Sequence, residues 1–276
     1  MAAPHLQPAH TGFNPTREDI YIAARILMGL RLPRPPAADT PAHLPPELAR
    51  SVLSHAGYNP RITSSRADEA RYHADDFWQP GPRASVAGLY LTTRDPLPGC
   101  LRRVASVTLQ VRAADQGWAT FGGEGTYENS HTWFEACVLR PVDGGDGVQP
   151  VQQEEGEGED EPLETRGDIV RVFETPGDAR GELEQFGWRM VEHGGRSTWL
   201  VHHNITASRA WKDYRVDWVA GEPTEIDVPG AVGDGEGFLD ALMPGDKIAL
   251  WARAEQQAWV IKVAEACIEV VYEVDI

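Results

Sequence analysis

The chain has 276 residues and a formal net charge of −17 at pH 7. That length suits one large β domain with additions or two small domains, and it buries a core without covalent staples. The acidic balance argues against a nucleic-acid partner, because phosphate binding needs clustered Lys and Arg.

The charge is uneven. Between Asp143 and Glu164 stand nine acidic residues and no basic one, so the rest of the chain carries only −8. Three cysteines, Cys100, Cys137 and Cys267, are too few and too scattered for a disulfide framework or a zinc site. Cys137 and Cys267 sit in apolar strand patterns, where cysteine packs as a small hydrophobe. The first residues, MAAPHLQPAH, lack the layout of a signal peptide, and no apolar run has membrane-spanning length. Cytosol or nucleus is the expected compartment, with no membrane partner.

Residues 1–14 read as disordered. PTREDIYIAARILMGL (15–30) predicts a helix: Thr16 caps it, Glu18 and Asp19 suit its first turn, and Ile20, Ala23, Ala24 and Leu27 form one stripe. A Pro-rich linker (32–43) follows. LPPELARSVLSHAGY predicts a second helix, with Pro45 and Pro46 at its start, Leu48, Val52 and Leu53 on one face, and Gly57 as its stop. A further short helix is expected within 64–76.

From residue 88 the period changes to two. Strands are predicted at 88–93, 104–111, 132–139, 169–173, 188–192, 198–205, 214–218, 247–254 and 266–274. In the third, Phe134, Ala136 and Val138 alternate with Trp133, Glu135 and Cys137. Short strands joined by turns, without helical crossovers, imply a mainly β chain folded as an antiparallel β-sandwich or jelly roll, with a small N-terminal helical segment. The expected division is a helical and linker region over 1–85 and a sandwich over 86–276, with the acidic stretch 143–166 as a disordered insertion.

No G-x-S-x-G elbow, H-E-x-x-H helix, P-loop or paired C-x-x-C is present. FGGEG (121–125) joins strands and reads as a turn. His202 and His203 are neighbours on one strand, face opposite sides, and cannot easily share a metal. Neither a metal nor a cofactor is expected. Three segments set polar groups beside aromatics at loop–strand junctions. The first holds Asp115, Gln116 and Trp118. The second runs from Tyr127 and Glu128 to Trp133 and Glu135. The third holds His203, Asn204 and Trp211. Carboxylates and amides take hydroxyl groups while an indole covers an apolar face, which is the chemistry of a glycan or polar-ligand site. The same groups could equally satisfy turns inside a β corner.

The blocks from Leu109 to Val138, His202 to Trp218 and Gly235 to Tyr272 resemble a widespread, largely uncharacterised group of fungal proteins. That group shares a D-Q-G-W turn, a G-T-Y…T-W-F-E strand and a G-D-x-I-x-L-W-A-R-A strand. It is similar in turn to the galactose-binding-like jelly roll of F-box-associated domains and plant phloem lectins. LPPELARSVLSHAGYNPRI resembles the first helix of an F-box, which implies docking to a ubiquitin-ligase linker subunit. Three functions follow: a non-catalytic module binding a glycan or polar small ligand at the sandwich loops, an adapter whose N-terminal helices dock a protein, or an enzyme using Glu, Asp or His in a sandwich cleft.

Overall fold

The computed structural model describes residues 6–29, 43–77, 84–142 and 172–275. Helices α1 (Arg17–Gly29) and α2 (Pro46–His55) precede strands β1 (Arg61–Arg66) and β2 (Ala70–His73). Next come β3 (Ser85–Thr92), β4 (Leu101–Ala114), β5 (Thr132–Pro141) and β6 (Val172–Phe173). Helix α3 (Arg180–Gln185), β7 (Trp188–Met190), β8 (Trp199–His203) and β9 (Lys212–Val219) follow. Helix α4 (Phe238–Ala241), β10 (Lys247–Glu255) and β11 (Val260–Val274) complete the series.

The strands form an antiparallel β-sandwich. One sheet has the order β1-β11-β4-β9, with β2 also on β11; the other has the order β6-β3-β10-β5-β7, with β8 on β5. Alternation decides which side chains meet between them. Val107, Leu109, Val111, Ile261 and Ile268 of the first sheet pack against Phe134, Ala136, Val138, Ile248 and Leu250 of the second. The other face of the second sheet is also apolar: Leu89, Cys137, Leu139 and Trp251 are covered by Ala179 and Leu183 of the helical segment before β7. That segment starts on a capping box between Thr175 and Asp178.

Each of the nine predicted strand regions overlaps a strand. The region 64–76, expected to hold a short third helix, is mostly strand: 61–66 and 70–73 are β1 and β2, and its only helical part is a single 3-10 turn, Ala74–Phe77. Long-range pairing overrides local propensity here. Arg61–Arg66 runs antiparallel to Ala266–Val271, and Ala70–His73 to Val260–Val263. Tyr72 is the apolar anchor, and a Cβ at Gly88 of β3 would fall 2.1 Å from its ring. Gly88 is there to admit that ring. The sandwich therefore draws two strands from the region before residue 86.

The chain start differs from its expected disorder as well. Residues 6–14 lie as a strap on the outer face of the first sheet, where Glu265 and Glu269 are buried and need donors. Leu6 N donates to Glu265 Oε1 at 2.9 Å, and His10 meets Glu269. Gln110 Nε2 donates to the Gln7 carbonyl at 2.9 Å. Asn14 and Arg61 exchange two hydrogen bonds. Helix α1 is capped by Thr16 and Asp19, as its sequence implies, and buries Ile20 and Ala24 against Leu53 and Val274. The Pro-rich linker and the acidic stretch 143–166 lie outside the described residues, apart from His43.

Candidate functional site

Two loops close one end of the sandwich: 115–131 after β4 and 204–211 after β8. Their polar groups lock them together. Asp115 is fully buried; its Oδ1 accepts from Gln116 N and its Oδ2 from Ala207 N, each at 2.7 Å. Ala207 has φ 57, a left-handed conformation unusual for alanine, and the carboxylate holds it there. Burial pushes the Asp115 carboxyl up to about 6, against the pull of those two backbone donors. Gln116 accepts from Val260 N at 2.8 Å and donates to the Trp118 carbonyl at 3.0 Å, tying the loop to β11.

The second loop is held the same way. Thr206 N donates to the Thr126 carbonyl at 2.8 Å, and Gly125 N returns a bond to the Thr206 carbonyl at 3.0 Å. Thr206 Oγ1 donates to the Glu128 carbonyl at 2.8 Å. Asn204 is fully buried and donates to Thr132 Oγ1 at 3.0 Å, while its Oδ1 has no hydrogen-bond partner among the described residues. Gly117, at φ +96, passes so close to Arg209 that a Cβ would fall 1.9 Å from its Cγ.

What these loops leave outside is aromatic. Trp118 is 44% exposed, Trp211 42% and Phe121 71%. Glu124 and Glu128 are exposed beside them in sequence. Tyr127 is half-buried beneath, its ring edge-on to His202 at 5.4 Å, and His202 lies 4.4 Å from the Tyr214 ring. Burial pushes the Tyr214 hydroxyl up to about 12.

Trp133, Glu135 and His203 occupy a different place, the outer face of the second sheet. Trp133 Nε1 donates to Glu135 Oε1 at 2.8 Å, and the Arg253 guanidinium lies 5.0 Å from the indole. Arg253 also donates to Glu135 Oε2 at 3.1 Å, Ser85 Oγ at 3.2 Å and the Val86 carbonyl at 3.2 Å. The His203 ring is 5.7 Å from that of Trp133. Burial first, then His202 and His131, push the His203 imidazole down to about 4, and its Nδ1 is buried without a hydrogen-bond partner among the described residues.

The ten predicted residues thus separate into three sets. Asp115, Gln116 and Asn204 brace loops from inside. Trp118, Trp211 and Glu128 stand exposed on those loops, and Tyr127 is half-buried in the first of them. Trp133, Glu135 and His203 form a cluster elsewhere, in which Glu135 is used by Trp133 and Arg253 while the His203 Nδ1 is left unpaired among the described residues. None lines the clefts of about 520, 390 and 260 Å³ among the described residues. The first of these is at the opposite end of the sandwich, where Arg102 and Arg103 face Glu222, Asp234, Glu236 and Asp240. Sequence reasoning passed over it; the glycine-spaced acids of GDGEG (233–237) were its one visible signal. Among the described residues no group of three or more His, Cys, Asp or Glu is placed to hold a metal, and no helix is long and apolar enough to cross a membrane.

No known family model matches the chain, and no curated protein is significantly similar to it.

Proposed function

We propose that this protein is a non-catalytic recognition module whose loop end binds a glycan or a similarly polar small ligand. One observation carries the reading. Trp118 and Trp211 remain nearly half exposed on two loops whose polar groups are spent locking each other in place. A rigidly held indole offers a large apolar face at little entropic cost, and a shallow aromatic platform suits a sugar ring. Glu124 and Glu128 supply acceptors for hydroxyl groups. At the loop end, Asp115 and Tyr214 have displaced ionisation but are buried and already bonded to backbone N–H groups of Gln116, Ala207 and Ile205, which favours binding over acid–base chemistry there. The resemblance to F-box-associated sandwiches and phloem lectins points the same way.

Glycan arrays probed with the whole chain test it. Trp118→Ala and Trp211→Ala should each weaken a captured glycan at least about tenfold, the scale of an interface hot spot, with only a small drop in stability. Trp218→Ala, which empties a core position, should instead cost about 3–5 kcal/mol. An array without hits, or rim variants that bind like the parent, would end this reading.

A second reading, an adapter, has one observation of its own. Helix α2 buries Ala49 and Leu53 but leaves Leu48 and Val52 exposed, and α1 leaves Ile22 and Ile26 exposed, each pair four residues apart on one helix face. The F-box geometry is not part of it, since residues 61–73, where further helices would follow, are strands. A purified ubiquitin-ligase linker subunit that bound the parent and lost Leu48→Asp would support docking; no binding to the parent would dismiss it.

A further inference from the structure

The end of the sandwich opposite the aromatic loops carries a second cleft, of about 260 Å³, where α2 lies against β4 and β11. Its walls bring three guanidinium groups together in a strongly acidic chain: Arg50 from α2, and Arg102 and Arg103 from β4. A single buried carboxylate, Glu273, stands among them. Arg103 Nη2 donates to Glu273 Oε1 at 2.5 Å and Arg102 Nη1 to Oε2 at 3.0 Å. The Arg103 bond first, then the charges of Arg103, Arg102 and Arg50, hold the Glu273 carboxyl below the usual range against the opposing effect of burial. Both oxygens of Glu273 are thereby used by Arg102 and Arg103. Arg50 is left over: its Nε is buried and has no hydrogen-bond partner among the described residues.

A buried guanidinium N–H without an acceptor costs free energy unless an acceptor arrives. The half-buried Arg50 side chain lines the cleft, so a small turn of it brings that N–H to an acceptor held there, with hydroxyl donors around it. Ser51 and Ser54 line the cleft, Ser54 one helical turn after Arg50 and His55 one turn after Ser51. His55 Nδ1 bonds to the Ser51 carbonyl at 2.8 Å, which leaves Nε2 as its uncommitted nitrogen. Glu47 on the lining, Asp275, 4.0 Å from Arg102 and largely exposed, and the Glu222, Asp234, Glu236 and Asp240 carboxylates across the neighbouring cleft reduce the positive charge of Arg102 and Arg103, and none reaches Arg50 by an ion pair among the described residues. At this volume the space is below that of a drug-sized pocket and fits a small anion, or the anionic head of a larger molecule.

We propose that this cleft is a phosphate-class anion site, with Arg50 as the primary ligand, Ser51 and Ser54 as hydroxyl donors, and Arg102 and Arg103 as the electrostatic wall that Glu273 keeps in place. Guanidinium forks suit tetrahedral oxyanions and form charge-assisted bonds that a neutral ligand does not. The site is independent of the aromatic loops, being at the other end of the molecule, so failure of either proposal leaves the other standing.

The test is isothermal titration of the whole chain with inorganic phosphate, O-phospho-L-serine and a sugar monophosphate, at fixed ionic strength, with chloride as the control. Saturable binding is expected, and Arg50→Gln should weaken it at least about tenfold, the equivalent of one charge-assisted hydrogen bond. Ser54→Asp puts a resident carboxylate in the cleft, so it should abolish binding while keeping or raising the melting temperature. That second variant covers the case in which Arg50→Gln fails to fold. Tighter binding of phosphoserine or of the sugar phosphate identifies the source of the anion. No saturable binding of any of the three, or equal binding by parent and Ser54→Asp, would overturn the proposal.

Discussion

His203 shows how much a neighbour in space changes a residue that looks polar in sequence. Half-buried against Trp133, its imidazole is neutral down to about pH 4, whereas in the unfolded chain it takes a proton near 6.5. Its contribution to stability is therefore fully present above pH 6.5 and is lost as pH falls toward 4, by up to about 3 kcal/mol. Burial also lowers His202 and His131, which act in the same direction. Asp115 opposes them: its carboxyl, raised to about 6 in the fold, gains a proton there before the unfolded chain does, so acidification from 6 toward 4 favours the folded state through this group. Urea melts of the parent and His203→Gln from pH 7.5 to 4 separate the two effects. The variant should gain on the parent by about 1–3 kcal/mol as pH falls; parallel profiles would show that His203 does not titrate this way. Alternation alone placed Trp133 and Glu135 on one face. It could not show that Glu135 is already used by Trp133 and by Arg253, since Arg253 arrives through the pairing of β10 with β5.

Among elements, those with strong apolar alternation were legible and those defined by a partner were not. β5 and β9 declare themselves through Phe134, Ala136 and Val138, and through Tyr214, Val216 and Trp218, all turned to the core. RITSSR and ARYH carry charges or hydroxyls on both faces, as suits strands flanking a sheet, and are strands only because β11 is long enough to pair with both. The strap at 6–14 has no period of its own; buried Glu265 and Glu269 hold it. A truncation series follows from this. A chain starting at residue 60 should still unfold cooperatively, with lower stability because the strap and the α1–α2 cover of Val274 are gone. One starting at residue 85 leaves β11 unpaired along one edge and Gly88 facing an empty Tyr72 position, and should be insoluble or molten by circular dichroism and dye binding. A cooperative 85–276 fragment would mean that β1 and β2 are dispensable.

For the whole molecule, the cysteines report whether the two sheets act as one unit. Cys137 is on the outer face of the second sheet and Cys267 on that of the first, both buried, with thiols pushed up to about 12 and about 11 by burial. Cys100 is half-buried near the α1 contact. Thiol-labelling of the native protein should modify Cys100 first and the other two only through unfolding, at equal rates if the sandwich opens as one body. Faster labelling of Cys267 alone would show that the strap and first sheet open separately. Composition, alternation and turn residues by themselves determined that this chain is mainly β, antiparallel and furnished with two N-terminal helices, because burial of alternate side chains is a local property of each strand. Which polar groups are free to meet a ligand was decided only by tertiary structure. Asp115 and Gln116 read like ligand-binding groups until the loops fold over them and use their hydrogen bonds, and Asn204 is sealed beneath with only its amide N–H paired among the described residues, while the half-buried Arg50 is left with a buried Nε that has no acceptor among them, packed against strands 50 and more than 200 residues away.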